Sequence, residues 1–317
     1  MKKKILVVSG PTAGGKTFLG INLAKKFNGV VLNADSMQIY KGLPILSAQP
    51  DKNELKEAEH RLYNIYEPYE NNNVYDWLEL IKNNTEELLK NGKTPIILGG
   101  TGMYISRFLN GIKDIPTVPQ ELRIESITLY NELGYEKFKE LVYTYDPEYV
   151  SNININDKQR LMRVYEIKKL TGNPLSFYEN QENITLYNRN EIFHINLIPD
   201  RQELYNRCNL RFKLMLEHPD IEHEIMDFAT KYPYVFDKTK KCSVVNTIGF
   251  VELYNYYNKK ITYEEMFDSS TQQTRNYAKR QFTWFRNQFK SVEYTLNEIP
   301  KKDNINDIIH KIAKLYE

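Results

Sequence analysis

The spacing of hydrophobic and polar positions changes several times along the chain, and each change marks an element. Ile5 to Val8 is an unbroken apolar run, the pattern of a strand buried on both faces. Phe18, Leu19, Ile21, Leu23 and Ala24 follow with helical spacing. Val30 to Leu32 and Thr94 to Leu98 read as two further strands, with a helix over Tyr75 to Leu89 between them. From about residue 113 to 189 the pattern is helical only: Gln120 to Leu133, Tyr135 to Tyr143, then Asp157 to Leu170, closed by Thr171-Gly172-Asn173-Pro174. Glu191 to Ile198 is a late strand, and from Arg201 the spacing is again helical through Trp284 and beyond. Strands alternating with helices predict an α/β fold, a parallel sheet flanked by helices, with its functional residues at the C-terminal strand ends. The expected organisation is a core over residues 1–112 and 190–317, interrupted by an all-helical insertion domain over 113–189.

Composition narrows this picture only slightly. A chain of 317 residues with 41% hydrophobic residues, 24 Tyr and 14 Phe has ample material for a core and an appended domain. Its formal charge of +2 announces no nucleic-acid partner, so any such argument rests on where the charges sit. Cys208 and Cys242 lie far apart without metal-ligand spacing, which fits a reducing cytoplasm and argues against a disulfide framework. Lys2 to Lys4 before Ile5 to Val8 resembles the start of a signal peptide, but the apolar run is four residues long. No stretch is long enough to span a membrane.

The chemistry begins where the first strand ends. Gly10-Pro11-Thr12-Ala13-Gly14-Gly15-Lys16-Thr17 is a complete phosphate-loop (P-loop) pattern between a strand and a helix. Glycines let backbone N–H groups turn inward around phosphate oxygens, and the helix N-terminus adds partial positive charge. Lys16 supplies a point charge and Thr17 a hydroxyl for Mg²⁺. Asp35 closes the second strand, where a carboxylate serves as a metal ligand, a proton acceptor or merely a helix cap. Parallel pairing of its strand would set it beside the bound phosphates. The third strand ends in Gly99-Gly100-Thr101-Gly102, a tight turn or a close approach, without the acid that an NTPase uses to hold Mg²⁺.

Three basic constellations remain. Gln159, Arg160 and Arg163 fall within one helical turn, and Arg207 and Arg211 are four apart on another helix. The segment from Thr274 to Arg286 holds no acid. Helical spacing sets Ala278, Phe282, Phe285 and Phe289 on one face and Arg275, Lys279, Arg286 and Lys290 on its neighbour.

Taken in order, these motifs resemble the bacterial tRNA dimethylallyltransferases, or tRNA isopentenyltransferases. The resemblance runs from the phosphate loop through Asn33-Ala34-Asp35-Ser36-Met37-Gln38-Ile39-Tyr40, His60-Arg61-Leu62 and Gly99 to Tyr104. It continues through Asn156 to Arg160, Thr171-Gly172, Leu204 to Arg207, Ile248 to Phe250 and Thr274 to Arg286. It implies transfer of a dimethylallyl group from dimethylallyl diphosphate to the N6 amine of adenosine 37 of tRNA, beside the anticodon. Asp35 then corresponds to the general base, Thr12 to a catalytic-site threonine, and Arg211 or Arg207 to the diphosphate-binding arginine. Positions toward tRNA are Asp35, Ser36, Met37, Gln38, Thr101, Arg123, Gln159, Arg160, Leu161, Met162, Arg163, and Thr247 to Glu252 with Gly249. Arg275, Lys279 and Arg286 add a phosphate-binding face. The implied cofactor is Mg²⁺, and the implied partner is the anticodon stem-loop of tRNA, bound by a cytoplasmic monomer. Two departures stand out: the family's Gly-Thr-Ala-Lys-Pro is Leu46-Ser47-Ala48-Gln49-Pro50 here, and an Asp near His60 is Asn64. The rival readings are a small-molecule or nucleotide kinase and a non-catalytic RNA-binding NTPase. The first accounts for neither the missing acid nor the basic aromatic helix, and the second lacks an N-K-x-D guanine-reading motif.

Overall fold

In the computed structural model, which describes residues 4–155, 157–237, 242–289 and 292–316, six parallel strands form one sheet in the order β3-β2-β4-β1-β5-β6. The four central strands are those the apolar runs predict: β1 (Ile5–Ser9), β2 (Gly29–Asn33), β4 (Thr94–Gly99) and β5 (Ile192–Leu197). Their side chains are almost entirely buried, as strands with helices on both faces require. The two edge strands, β3 (His60–Arg61) and β6 (Tyr294–Leu296), have two and three residues and carry no readable period. β4 lies between β1 and β2, so the strand that leads to Asp35 does not pair directly with the strand that leads to the phosphate loop; both pair with β4.

Helices α1 (Lys16–Phe27), α2 (Lys52–Glu57), α3 (Val74–Lys90) and α4 (Gly102–Asn110) fill the connections of the first half. Asn73 caps α3 by accepting from the amides of Tyr75 and Asp76, and Asp51 caps α2 in a capping box with Glu54. Residues 110–185 form a separate compact unit that carries α5 (Gln120–Tyr143), α6 (Pro147–Ser151), α7 (Lys158–Thr171) and α8 (Leu175–Glu179). The sequence break between Leu133 and Tyr135 is a real kink, because Gly134 leaves helical geometry at φ 72 and ψ 175. Phe138, Val142, Leu161 and Val164 make this unit's own core, each fully buried and each contributing about 1.5–3 kcal/mol. The other unit, residues 4–109 with 186–316, continues with α9 (Arg201–Leu216), α10 (Ile221–Lys231), α11 (Phe250–Tyr257), α12 (Tyr263–Gln288) and α13 (Ile305–Tyr316). There α1 and α13 cover one sheet face through Leu19, Leu23, Ile308 and Ile312, while α9 packs on α12 through Leu204, Cys208, Ala278 and Phe282. No helix among the described residues is long and apolar enough to cross a membrane.

Candidate active site

The phosphate loop lies where β1 hands over to α1, and its conformation follows from its residues. Gly15 caps α1 in the left-handed region at φ 86, and Ala13 is also left-handed at φ 61, a conformation that costs a residue with a Cβ about 1–2 kcal/mol. Two side chains hold this segment. The Arg207 Nε donates to the Ala13 carbonyl at 3.0 Å, and the Thr12 amide donates to Gln281 Oε1 at 2.8 Å. Lys16 points its ammonium back over the loop, donating to the Pro11 carbonyl at 2.9 Å. Burial pulls the Lys16 pKa down to about 8, with Asp35 acting the other way and Arg211 adding to the fall.

Asp35 is held by its neighbour in the strand. Asn33, fully buried at the end of β2, accepts from the Asp35 amide at 2.8 Å and donates to the Asp35 carbonyl at 3.1 Å. The Asp35 carboxylate takes the Met37 amide on Oδ1 at 2.9 Å, and its second oxygen has no hydrogen bond to the described residues. It is therefore both a turn cap and a carboxylate with an open acceptor. Its charge is felt by Lys16 and Arg211 on one side and by Tyr63, Tyr104 and Tyr277, whose phenols burial keeps well above their ordinary range.

The end of β4 brings these parts together, and its glycines serve close approach. None of Gly99, Gly100 and Gly102 has a positive φ, so left-handed backbone is not what calls for glycine there. A Cβ on Gly99 would fall 2.0 Å from the Ala34 carbonyl oxygen, and one on Gly102 would fall 2.5 Å from the Trp284 ring. At Gly100 it would meet Gln281 Nε2 at 2.6 Å and lie in ordinary contact with Lys16 Nζ at 3.5 Å. Thr101 accepts from the Ser36 amide at 2.9 Å and donates to Ser36 Oγ at 3.2 Å, which fixes the residue after Asp35.

The two arginines of α9 differ. Arg207 is spent on Ala13, whereas Arg211 makes no hydrogen bond to the described residues and stays a cation despite burial, which lowers its pKa. An unpaired guanidinium within the field of Asp35 and Lys16 is a vacant anion contact. Thr17, on the first turn of α1, likewise makes no side-chain hydrogen bond to the described residues. No group of three or more His, Cys, Asp or Glu among the described residues could hold a metal alone. One hydroxyl beside a phosphate cradle suits Mg²⁺ shared with phosphate oxygens and water.

The comparisons with known proteins agree on one family. The family model described as IPP transferase matches residues 38–288. The tRNA dimethylallyltransferase of Orientia tsutsugamushi (strain Ikeda) is 33% identical over 90% of this chain and 92% of its own length. That of a Wolbachia pipientis strain from Culex pipiens is 36% identical over 92% and 95%. The chain belongs to the IPP transferase family. Among solved structures, the tRNA isopentenylpyrophosphate transferase of Bacillus halodurans superposes with a TM-score of 0.66 at 31% identity, covering 99% of this chain and 97% of that one. A eukaryotic dimethylallyltransferase acting on tRNA gives 0.78 at 29% identity over 89% of this chain and 69% of that one.

Other positions that the IPP transferase resemblance singled out divide by what their side chains already do. Gln38 donates twice, to the carbonyls of Ser47 and Ala48, and so shapes the loop where the family's lysine is Gln49. Met37 is half-buried, and the Thr247 hydroxyl is committed to the Val244 carbonyl at 2.7 Å. Gly249 starts α11 at φ 92. In the insertion unit, Arg123, Gln159 and Arg160 are exposed, Arg160 pairing with Asp157 at 2.9 Å, while Met162 and Arg163 are half-buried. Leu161 is corrected from a tRNA-side residue to a core residue, since it is fully buried in that unit. On α12, Ala278, Phe282, Phe285 and Phe289 form the buried face and Lys279 and Arg286 are exposed, as the spacing predicts. Arg275, on the same face, is half-buried, and its guanidinium donates to Asn209 Oδ1 at 2.7 Å and Gln272 Oε1 at 2.8 Å. Lys290 and Asn156 lie outside the described residues. Sequence reasoning missed Asn33 and Gln281 as site residues, although Asn33 ends an apolar strand run and Gln281 falls on the helical stripe of Ala278 and Phe285.

Proposed function

We propose that this chain transfers the dimethylallyl group of dimethylallyl diphosphate to the N6 amine of adenosine 37 in the anticodon stem-loop of tRNA. The observation that carries the reading is an open Asp35 carboxylate whose charge acts on two cations, Lys16 of the phosphate loop and Arg211, which makes no hydrogen bond to the described residues. The nitrogen lone pair forms a bond to C1 of the donor as the C1–O bond breaks, and the electron pair of that bond leaves with diphosphate. Negative charge grows on the leaving group, where Lys16, loop amides and Arg211 meet it in a site of low dielectric. The amine becomes acidic as its nitrogen bonds to carbon, and the free oxygen of Asp35 takes the proton, a contribution of about 10²–10⁴-fold. Thr12 completes the donor side of the loop. Mg²⁺, held by Thr17 with diphosphate oxygens and water, would neutralise the leaving group when bound.

Arg123, Gln159, Arg160 and Arg163 of the insertion and Lys279 and Arg286 of α12 are assigned to tRNA, the α12 pair to phosphates. An adenosine in an RNA loop is extracted at less cost than one in a duplex. The chain is assigned to act as a monomer. The cytoplasm, where tRNA is found, is the assigned location. The test supplies unmodified tRNA with dimethylallyl diphosphate or ATP in parallel, followed by nucleoside mass spectrometry. Prenylated adenosine appears only with dimethylallyl diphosphate; steady ATP consumption without prenylated nucleoside would overturn the reading in favour of a kinase.

A further inference from the structure

Gln281 occupies a place in α12 where the helix has every reason to carry an aliphatic residue. Thr274, Ala278, Gln281 and Phe285 succeed one another at four-, three- and four-residue intervals and are all buried, so Gln281 sits on the packing stripe. Its relative exposure is 6%. A buried carboxamide is tolerated only where its polar atoms are hydrogen-bonded, and here both are. Oε1 accepts from the Thr12 amide at 2.8 Å, and Nε2 donates to the Gly100 carbonyl at 2.7 Å. One side chain thus spans the phosphate loop and the glycine-rich end of β4, the two segments that flank Lys16.

The surroundings are cut to fit it. Gly100 has no Cβ, and a methyl there would overlap Gln281 Nε2 at 2.6 Å while approaching Lys16 Nζ at 3.5 Å. Three residues on, Trp284 closes over Gly102 at 2.5 Å from the position of a Cβ, so α12 seats on this segment at two successive points. The adjoining loop residue is braced separately by Arg207 of α9, which packs on the same helix. Residues 12 and 13 are therefore held in turn by two helices that pack together, one gripping an amide and the other a carbonyl.

We propose that Gln281 is a positioning residue for the transfer reaction, setting the spacing between the phosphate loop and Gly100 and so the grip of Thr12 and Lys16 on the diphosphate of the donor. The inference rests on the proposed prenyl transfer for its kinetic arm but not for its binding arm. Because Gln281 consumes the Thr12 amide, the loop presents its remaining amides and the Lys16 ammonium to the ligand in a fixed arrangement. α12 also carries Lys279 and Arg286, so the helix assigned to tRNA phosphates is the one that shapes the donor site.

The test uses the full chain and three variants, Gln281→Met, Gln281→Glu and Gly100→Ala. Met matches the length of Gln and fills the space without either hydrogen bond; Glu keeps an acceptor for Thr12 but loses the donor to Gly100; Ala at 100 displaces the amide from the other side. Titration calorimetry with inorganic diphosphate and Mg²⁺ reads the binding arm, and steady-state kinetics with dimethylallyl diphosphate and tRNA reads the other. Each variant that folds weakens diphosphate binding and lowers kcat by about 10-fold or more, while the KM for tRNA stays within about twofold. Wild-type diphosphate affinity and kcat in Gln281→Met, whatever its melting temperature, would make Gln281 a packing residue only and overturn the proposal. If Gln281→Met does not fold, Gln281→Glu and Gly100→Ala decide in the same way. Should wild type bind diphosphate in a Gln281-dependent manner yet prenylate no tRNA, the functional reading fails and the positioning role stands.

Discussion

At the residue scale, the arginine pair shows what sequence and geometry each resolve. Arg207 and Arg211 are equivalent in spacing, and only the three-dimensional structure separates the one bonded to Ala13 from the one left without a partner. Arg211→Ala should weaken diphosphate about 10–100-fold, the loss of a charge-assisted contact, with little change in melting temperature. Arg207→Ala should instead lower stability by about 1 kcal/mol and weaken diphosphate less. Equal loss of affinity in both variants, read by calorimetry, would contradict this division. Lys16 gives a pH signature. Its pKa lies near 8 in the free protein, below the ordinary 10.5, and a bound anion raises it. Lys16 should therefore take up close to one proton when the donor binds at about pH 9 and contribute no uptake at about pH 6. Calorimetry in buffers of different ionisation enthalpy reads the uptake, with Lys16→Met as the reference that removes it. As a separate matter, a lowered lysine pKa means the unfolded chain binds more protons between pH 8 and 10.5, so this group's contribution to stability rises with pH across that window.

At the element scale, the long apolar runs and helical periods were legible because burial on both faces or on one stripe leaves a pattern many residues long. β3 and β6 were not, since two or three residues cannot display a period. The phosphate loop was legible because its glycines, lysine and threonine are consecutive in the chain. The end of β4 was legible as glycine-rich but not for its reason, because the atoms that exclude a Cβ belong to Ala34, Gln281 and Trp284, distant in sequence. That difference has a measurable consequence. Gly99→Ala, whose Cβ would meet Ala34 at 2.0 Å, should cost on the order of 3 kcal/mol and displace the residue before Asp35. Gly92→Ala, at φ 67 with nothing within 4 Å, should cost only about 1 kcal/mol. Denaturant unfolding of both variants checks the ranking, and a reversed order would mean that close approach does not select glycine at the end of β4.

At the scale of the whole molecule, contacts assigned to RNA are spread over two compact units while the chemistry is concentrated at one carboxylate. Acidic residues outnumber basic ones in the insertion unit, so its approach to RNA depends on the local group of Arg123, Gln159, Arg160 and Arg163. On α12 the exposed Lys279 and Arg286 remain available for phosphates, whereas Arg275 is committed to Asn209 and Gln272. Lys279→Ala and Arg286→Ala should each flatten the slope of log affinity against log salt by about 0.7–0.9 and weaken different tRNAs alike. Arg275→Ala should mainly lower stability; unchanged slopes in the first two would mean a merely solvated face. Spread-out binding and localised chemistry imply that the two can be separated by one substitution. Asp35→Asn keeps the size of the side chain and an oxygen for the Met37 amide, removing the negative charge and with it the capacity to take the proton. The measurement is single-turnover prenyl transfer beside tRNA affinity for wild type and Asp35→Asn. Transfer should fall at least ~10²-fold with affinity within about twofold; transfer at the wild-type rate, or affinity and transfer lost in equal measure, would contradict Asp35 as the base.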